Sequence, residues 1–326
     1  MKQILTFIMI FFLAATLEGK ELVKTIPSLP LNVNPETIRP LSELADKVLQ
    51  QHLEDILFSN PSWRQLIRAK KMTIGLVDLT DPSNILFAMV NGDEMMYAAS
   101  LPKLAILLTA FHCFENKIIE QTPEVMKDLN LMIRKSNNQA ASRMIERVTM
   151  ERIHEVLTLK CYDFYDETRG GGIWVGKEYA KTGKRMPEAV KGLSHAATAS
   201  QVCRFYYQLA MGKLISRERS REMLEILINP GIEHKFVKAL HQIVPQADIF
   251  RKSGTWKTWH SDSVMVWGPE WRRYIAVALI NNKNGETILR KLIMELEIVL
   301  KQNAAIIKKK QKHLAAFVEP EKCFEI

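Results

Sequence analysis

Apolar residues follow two different spacings in the first third of the chain. Between residues 41 and 57, Leu, Val and Ile recur every three or four positions, which predicts an amphipathic helix. Residues 72–79 and 85–90 are short runs rich in apolar and β-branched side chains, and the segment 80–84 between them is polar. This pattern is typical of two strands joined by a hairpin turn.

The middle of the chain is predicted to be helical, and strands return near its end. Helical spacing extends over about residues 101–240, and the apolar runs at residues 263–267 and 274–280 have the character of strands. A long final helix is expected over residues 286–307. This order predicts an α/β fold of the α+β kind, in which both chain ends build a sheet lobe and an all-helical lobe is inserted between them.

Residues 1–19 form the one segment in which apolar residues are concentrated. Lys2 precedes an apolar run over residues 4–13, and small and then polar residues follow. This pattern predicts a secretory signal peptide, and therefore an exported protein, periplasmic or secreted, with no stable membrane insertion after cleavage. The alternative is an uncleaved membrane anchor, although the run is short for crossing a bilayer.

Composition and charge exclude several classes of protein. The chain has 326 residues, is 47% hydrophobic and carries a formal net charge of +9, unlike disordered or disulfide-dense sequences. Neither CxxC nor HExxH is present, so no metal or other cofactor is expected. Nucleic acid is a poor partner, because basic and aromatic residues are not interleaved. In an oxidising compartment four cysteines could pair, in an order that their spacing does not reveal: Cys113, Cys161, Cys203 and Cys323.

A serine and a lysine stand three positions apart where an apolar helical stretch begins. On a helix the side chains of Ser100 and Lys103 share a face, so the amine could take the proton of the hydroxyl. Free backbone N–H groups at a helix start also favour developing negative charge. A Ser-x-x-Lys arises about once by chance in a chain of this size, and the position of this one at a predicted helix start favours a functional role.

The segment 136–138 places a hydroxyl and a carboxamide two residues apart. Ser136 could pass a proton to a leaving group, and Asn138 could bind a substrate amide. The alternative is a helix N-cap, for which Ser and Asn are both favoured.

A third polar group, residues 252–255, precedes a predicted strand. On a strand beside a cleft, Lys252, Ser253 and Thr255 would attract a substrate carboxylate, and Gly254 would allow close backbone approach. Residues 181–183, Lys-Thr-Gly, have the same pattern as Lys-Ser-Gly at 252–254, but they lie in a polar stretch without a following strand and are interpreted as a turn.

The three motifs, taken in order, resemble the signatures of the serine β-lactamase and penicillin-binding protein superfamily, and within it the class A β-lactamase-related serine hydrolases. The resemblance implies a β-lactamase/transpeptidase-like fold, with an antiparallel sheet flanked by helices and the nucleophile at the lobe junction. An oxyanion hole would be formed by the N–H groups of Ser100 and Thr255. The implied roles are acylated nucleophile for Ser100, general base for Lys103, proton relay for Ser136, substrate-amide ligand for Asn138, and carboxylate binding for Lys252, Ser253 and Thr255 with Gly254 between them.

The resemblance also implies a single catalytic domain over residues 20–326. We expect a sheet lobe over about residues 40–99 and 246–307, a helical lobe over about 100–245, and a basic tail over 308–326.

One feature of the resembling family is missing from its usual setting. The Ω-loop glutamate that activates the deacylating water should lie between residues 170 and 195, where the acids are Glu178 and Glu188. Glu188 is the better positional candidate, and the alternative is an exposed loop carboxylate. Without a positioned base the acyl-enzyme should hydrolyse slowly, because general-base catalysis is worth about 10²–10⁴-fold.

These observations favour an exported, monomeric serine hydrolase that opens β-lactams through an ester on Ser100. One alternative keeps the nucleophile but acts as a D,D-peptidase or esterase on peptidoglycan-type substrates. Another is a penicilloyl-binding protein that is acylated and stays acylated. In each case the partner is a small β-lactam or a peptidoglycan-like molecule.

Overall fold

The computed structural model describes Leu29 and residues 33–318, with most side chains up to residue 309. The expected signal peptide and Cys323 lie outside the described residues. The helices are α1 (Lys47–Ser59), α2 (Pro61–Arg68), α3 (Lys103–Glu115), α4 (Pro123–Arg134), α5 (Asn138–Val148), α6 (Met150–Thr158), α7 (Ala199–Ala210), α8 (Arg217–Leu227), α9 (Lys235–Ile243) and α10 (Gly285–Val318). The strands are β1 (Met72–Asp78), β2 (Leu86–Val90), β3 (Met96–Tyr97), β4 (Tyr165–Asp166), β5 (Gly171–Gly172), β6 (Trp174–Val175), β7 (His195–Ala197), β8 (Asp248–Trp256), β9 (Trp259–Trp267) and β10 (Arg273–Asn281).

The main sheet joins the two ends of the chain. Its five strands are antiparallel in the order β2-β1-β10-β9-β8, so β1 pairs with β10 across the whole inserted lobe. Successive side chains of a strand face opposite sides. In β1, Ile74 and Leu76 therefore pack against α1, α9 and α10, whereas Val77 packs toward the helical lobe. The predicted α+β architecture with an antiparallel sheet is confirmed.

Two predicted helix boundaries differ from the observed ones. The helix expected over residues 41–57 begins at Lys47, because the Asp46 side chain accepts the Leu49 N–H at 2.8 Å and caps it; Leu41–Leu44 form a separate 3-10 turn. The final helix continues past residue 307 to Val318. Its added residues are mostly Lys, Ala and Gln, which are strong helix formers even without apolar periodicity.

Three further observations concern membrane spans, metal ligands and cysteines. Within the described part of the chain, no helix has an apolar stretch long enough to span a bilayer. The same residues contain no group of three His, Cys, Asp or Glu side chains placed to hold a metal ion. Cys113, Cys161 and Cys203 are unpaired, and two of them are buried.

Candidate active site

Ser100 lies in the tight turn that leads into α3. The preceding Ala99 has a φ of +51°, a left-handed conformation that is uncommon for a residue with a side chain. The Leu101 N–H closes the turn on the Ala98 carbonyl at 3.0 Å, while the Ser100 N–H has no backbone partner among the described residues. Ser100 is half-buried and lines a cleft, so its hydroxyl and its N–H are both available to a bound molecule.

Gly254 allows the edge strand β8 to lie directly against this turn. A Cβ at that position would lie 2.6 Å from the Ser100 nitrogen and closer still to the Ala98 oxygen, and both are backbone atoms that cannot swing away. The glycine therefore sets the separation between the nucleophile turn and Thr255, the next residue of β8. This placement is the one expected for two oxyanion-binding N–H groups from Ser100 and Thr255.

Lys103 is fully buried on the first turn of α3. Its Nζ donates to the Ser136 carbonyl at 2.7 Å and to Asn138 Oδ1 at 2.8 Å. Burial lowers the pKa of Lys103 to about 7, because the charged form loses its hydration. The Asn137 carbonyl is a third acceptor, at 3.3 Å. In its neutral form the amine has two N–H bonds and one lone pair that can accept a proton.

Ser136 connects the two buried lysines. Its φ of +54° directs its carbonyl to Lys103, while its Oγ accepts a hydrogen bond from Lys252 Nζ at 2.9 Å. Burial, together with repulsion from Lys103, Arg251 and Lys235, holds the pKa of Lys252 well below its usual value. Ser136 thus contacts Lys252 through its hydroxyl and Lys103 through its carbonyl, and burial lowers the pKa of both amines.

The N-cap interpretation of segment 136–138 is correct for its middle residue only. The Asn137 side chain caps α5 by accepting the Ala140 N–H at 2.8 Å. Capping in turn fixes the neighbouring residues, so that Ser136 contacts Lys252 and Asn138 contacts Lys103. The structural and functional interpretations therefore both apply, to different residues.

A third lysine, which the sequence did not indicate, lies behind β8. Lys235 is buried at the start of α9, and its Nζ donates to the Gly254 carbonyl at 2.6 Å and to Thr255 Oγ1 at 2.8 Å. Burial lowers its pKa to about 8. The adjacent His234 Nε2 lies 3.2 Å from Ser253 Oγ. Neither residue belongs to a recognisable motif, because each acts on a strand about twenty residues further along the chain.

A buried ion pair connects β8 to the neighbouring strand β9. Arg251 contacts Asp262 of β9 through two N–H groups at 2.7 and 3.0 Å, and both side chains are almost fully buried. Asp262 also accepts the Phe236 N–H of α9 at 3.1 Å. The pair therefore ties β8, β9 and α9 together beneath the residues proposed to bind a carboxylate.

The cleft in front of Ser100 has a volume of about 640 Å³. Asn138 and Thr255 border it beside Ser100, and the segment 177–195 forms a wall of it. Trp256 and Trp259 both line it with Tyr97. Residues 181–183 form an exposed turn as interpreted, although Lys181 also reaches the cleft.

Tyr179 covers Lys103 from the loop side. The ring centre lies 4.4 Å from Lys103 Nζ, and the ring stacks on His195 at 4.4 Å with an interplanar angle of 1°. The Tyr179 hydroxyl donates to the Ala99 carbonyl at 3.3 Å. Among the described residues no carboxylate lies within 4 Å of Lys103 Nζ, whose polar partners come from residues 136–138. Tyr179 and His195 thus occupy the space beside Lys103, the candidate general base, on the side of the segment 177–195.

Glu188 does not have the position that the sequence suggested. It is buried outside the cleft lining, and its carboxylate accepts the N–H groups of Val190, Lys191 and Leu193 at 2.6–3.0 Å. These bonds occupy both oxygens within its own loop. The geometry therefore contradicts the assignment of Glu188 as deacylation base, and equally the alternative of an exposed carboxylate.

Replacing Glu188 by glutamine should destabilise this loop. One carboxylate oxygen would become an NH₂ group facing backbone N–H donors, which costs about 1–3 kcal/mol in the free energy of unfolding. Urea unfolding measures this loss. Glu178→Gln, in the same segment and without a hydrogen-bond partner among the described residues, should change stability by less than about 0.5 kcal/mol. Equal stability of both variants would contradict the capping role.

Comparisons with known proteins agree with this architecture. The model of the β-lactamase enzyme family matches residues 119–300, which include Ser136–Asn138 and Lys252–Thr255 and begin after Ser100. That is more than half of the chain, and the protein belongs to the β-lactamase enzyme family. A search among curated proteins gives no significant match.

Solved structures of the same fold include penicillin-binding and β-lactamase proteins. PBP-A is 18% identical, with a TM-score of 0.57 over 79% of this chain and 97% of PBP-A. A β-lactamase from Sphaerobacter thermophilus is 14% identical, with a TM-score of 0.59 over 78% of this chain and 97% of that one. A mutant of PBP-A, solved as an acyl-enzyme complex with penicillin G, is 19% identical, with a TM-score of 0.55 over 83% of this chain and 100% of that one. At these identities the likeness establishes the fold.

Proposed function

We propose that the protein is an exported serine acyl-transfer enzyme that opens β-lactams by forming an ester with Ser100. The observation that carries the proposal is the buried chain of contacts from Lys103 through Ser136 to Lys252, beside a serine at the start of α3. Lys103 donates to the Ser136 carbonyl and Lys252 donates to the Ser136 hydroxyl. Two amines with lowered pKa values and a hydroxyl bonded to one of them are groups that acyl transfer by serine uses.

The proposed acylation moves one proton and exchanges one bond. Neutral Lys103 takes the Ser100 proton as Oγ attacks the lactam carbonyl, and the N–H groups of Ser100 and Thr255 bind the oxyanion. The C–N bond then breaks, and the Ser136 hydroxyl gives its proton to the leaving nitrogen and regains one from the Lys252 ammonium that donates to it. Lys252, Ser253 and Thr255 bind the carboxylate of the substrate, and Asn138 binds its amide.

Slow deacylation is the second part of the proposal. Tyr179 and His195 cover the side of Lys103 on which a water-activating carboxylate is expected, and Glu188 is engaged in its loop. Because the ester on Ser100 then lacks a strong base to activate water, the protein resembles a penicillin-binding protein in its kinetics more than an efficient β-lactamase. The same observation favours peptidoglycan-type peptides or esters as the alternative substrate.

To test the proposal, the chain from residue 20 is incubated with a chromogenic cephalosporin. Both the release of product and the intact mass of the protein are measured. We expect stoichiometric labelling and slow turnover. Ser100→Ala should lose the adduct, while Ser194→Ala, at another serine of the cleft lining, should keep it. Labelling that survives Ser100→Ala, or no labelling at all, would contradict the proposal. Recovery from an exported fraction of a chain beginning near residue 20 tests export.

A further inference from the structure

The loop wall of the cleft carries a concentration of positive charge. Lys177, Lys181 and Arg185 all line the cleft. The local fold brings them together: Lys177 and Arg185 face each other across an antiparallel bridge, and Lys177 Nζ donates to the Lys181 carbonyl at 3.0 Å. These three residues are called the basic wall below.

The protein itself does not neutralise the basic wall. Within residues 33–309, none of the three side chains has a carboxylate within 4 Å, and Glu178 is the one acid that lines the same cleft. The cleft lining therefore carries four cations, these three and Lys257, against one acid, an excess of three positive charges. Burial lowers the pKa of His195, another residue of the lining, to about 4, and repulsion from Lys103, Lys177 and Arg185 adds to this effect.

The basic wall and the residues proposed to bind the first carboxylate come from different segments of the chain. Of the latter, Thr255 borders the cleft with Ser100 and Asn138, whereas Lys252 and Ser253 do not line it. In a substrate whose first carboxylate lies at Lys252, Ser253 and Thr255 and whose carbonyl lies at Ser100, the acyl portion is the part that can extend into the volume that the basic wall borders. The cations there would meet the acyl side of the C–N bond that breaks.

The cleft lining also includes an aromatic group that the same acyl portion would meet. Tyr97 and Trp259 lie edge to face with ring centres 6.1 Å apart, and Trp256, 56% exposed, lies beside them at the end of β8. Exposed aromatic side chains favour flat or apolar groups. Clefts lined by one sign of charge concentrate ligands of the other sign and raise their rate of association.

We infer that the preferred acyl donor carries a second anionic group, a carboxylate on its acyl side, next to an apolar or aromatic surface. This inference rests on the proposed acylation of Ser100 and names the class of substrate for the same site. The basic wall acts on encounter and orientation, and the chemical step stays with Lys103 and Ser136.

Two penicillins that differ by one carboxylate test the inference. Benzylpenicillin and its α-carboxy derivative are compared by their second-order rates of Ser100 labelling, measured by intact mass at low salt and at high salt. The ratio of the two rates, carboxylated over parent, is the readout. We expect Arg185→Gln and Lys181→Gln each to lower the wild-type ratio about fivefold at low salt, and high salt to reduce it in the wild type.

Lys184→Gln is the matched control. Lys184 is exposed in the same loop but does not line the cleft, so this variant loses one positive charge without altering the wall and should keep the wild-type ratio. A ratio unchanged in the Lys181→Gln/Arg185→Gln double variant, while both penicillins still label Ser100, would overturn the inference alone. Failure of both penicillins to label Ser100 would contradict the proposed function, and the inference with it.

Discussion

Replacing Lys103 by arginine is expected to slow acylation of Ser100 by about 10²–10⁴-fold, the range typical of a lost general base. Arginine keeps the positive charge and hydrogen-bond donors, but it cannot lose its proton. The wild type owes its base to burial, which lowers the pKa of Lys103 to about 7. The rate of labelling by a penicillin, followed by intact mass, measures the loss.

The same lysine predicts how acylation depends on pH. Only the neutral amine accepts the Ser100 proton, so the rate should fall about tenfold for each pH unit below about 7 and level off above it. Lys103→Arg should lose this dependence. Lys257→Arg, a matched exchange of an exposed lysine in the cleft lining, should keep both rate and profile. A wild-type rate with an unchanged profile in Lys103→Arg would remove Lys103 as the base.

The second large effect is expected at Tyr179, where glutamate should shorten the lifetime of the acyl-enzyme by about 10²–10⁴-fold. A glutamate side chain extends about as far from the backbone as the centre of a tyrosine ring, and that centre lies 4.4 Å from Lys103 Nζ. The new carboxylate would therefore lie beside the amine, in space now filled by the ring. Release of hydrolysed product from penicilloyl-enzyme measures the lifetime.

Two measurements distinguish base catalysis by the new glutamate from easier access of water after loss of the tyrosine ring. Tyr179→Gln removes the ring but supplies no base, so its acyl-enzyme should stay long-lived. Tyr179→Glu should also raise the pKa of Lys103, because an adjacent carboxylate favours the charged amine, and should move the acylation profile to higher pH. Equal acceleration by glutamine and glutamate would show that the ring acts by excluding water, not by replacing a base.

The parts of the molecule that could be predicted from the sequence are those with local signals. Short apolar runs indicate β1 and β10, and short motifs mark Ser100 and Ser136 just before helices and Lys252 on a strand. These signals combine into an order of elements, which is sufficient for the fold. The roles given to these residues in catalysis stay predictions that labelling experiments test.

The residues that sequence reasoning missed act across the fold. Lys235 bonds to Thr255, and Tyr179 packs on Lys103, through contacts that no spacing rule expresses. Glu188 failed as a candidate for a similar reason. Its position in the chain is close to that expected for a catalytic acid, but three backbone N–H groups of its own loop donate hydrogen bonds to its carboxylate. Local backbone conformation, which one sequence does not reveal, decided the outcome.

The pairing of β1 with β10 also determines the order in which the protein can be assembled. Met72 lies opposite Ile280, so about two hundred residues must be synthesised between the two partners before the sheet can close. When the helical lobe has been synthesised, Ser100 and Lys103 are present, but β8, β9 and β10 are not. Contacts this distant in sequence form slowly and late. Ser100 is therefore synthesised long before the strands that complete its site. The sheet that contains Lys252 is complete only when β10 pairs with β1 and β9.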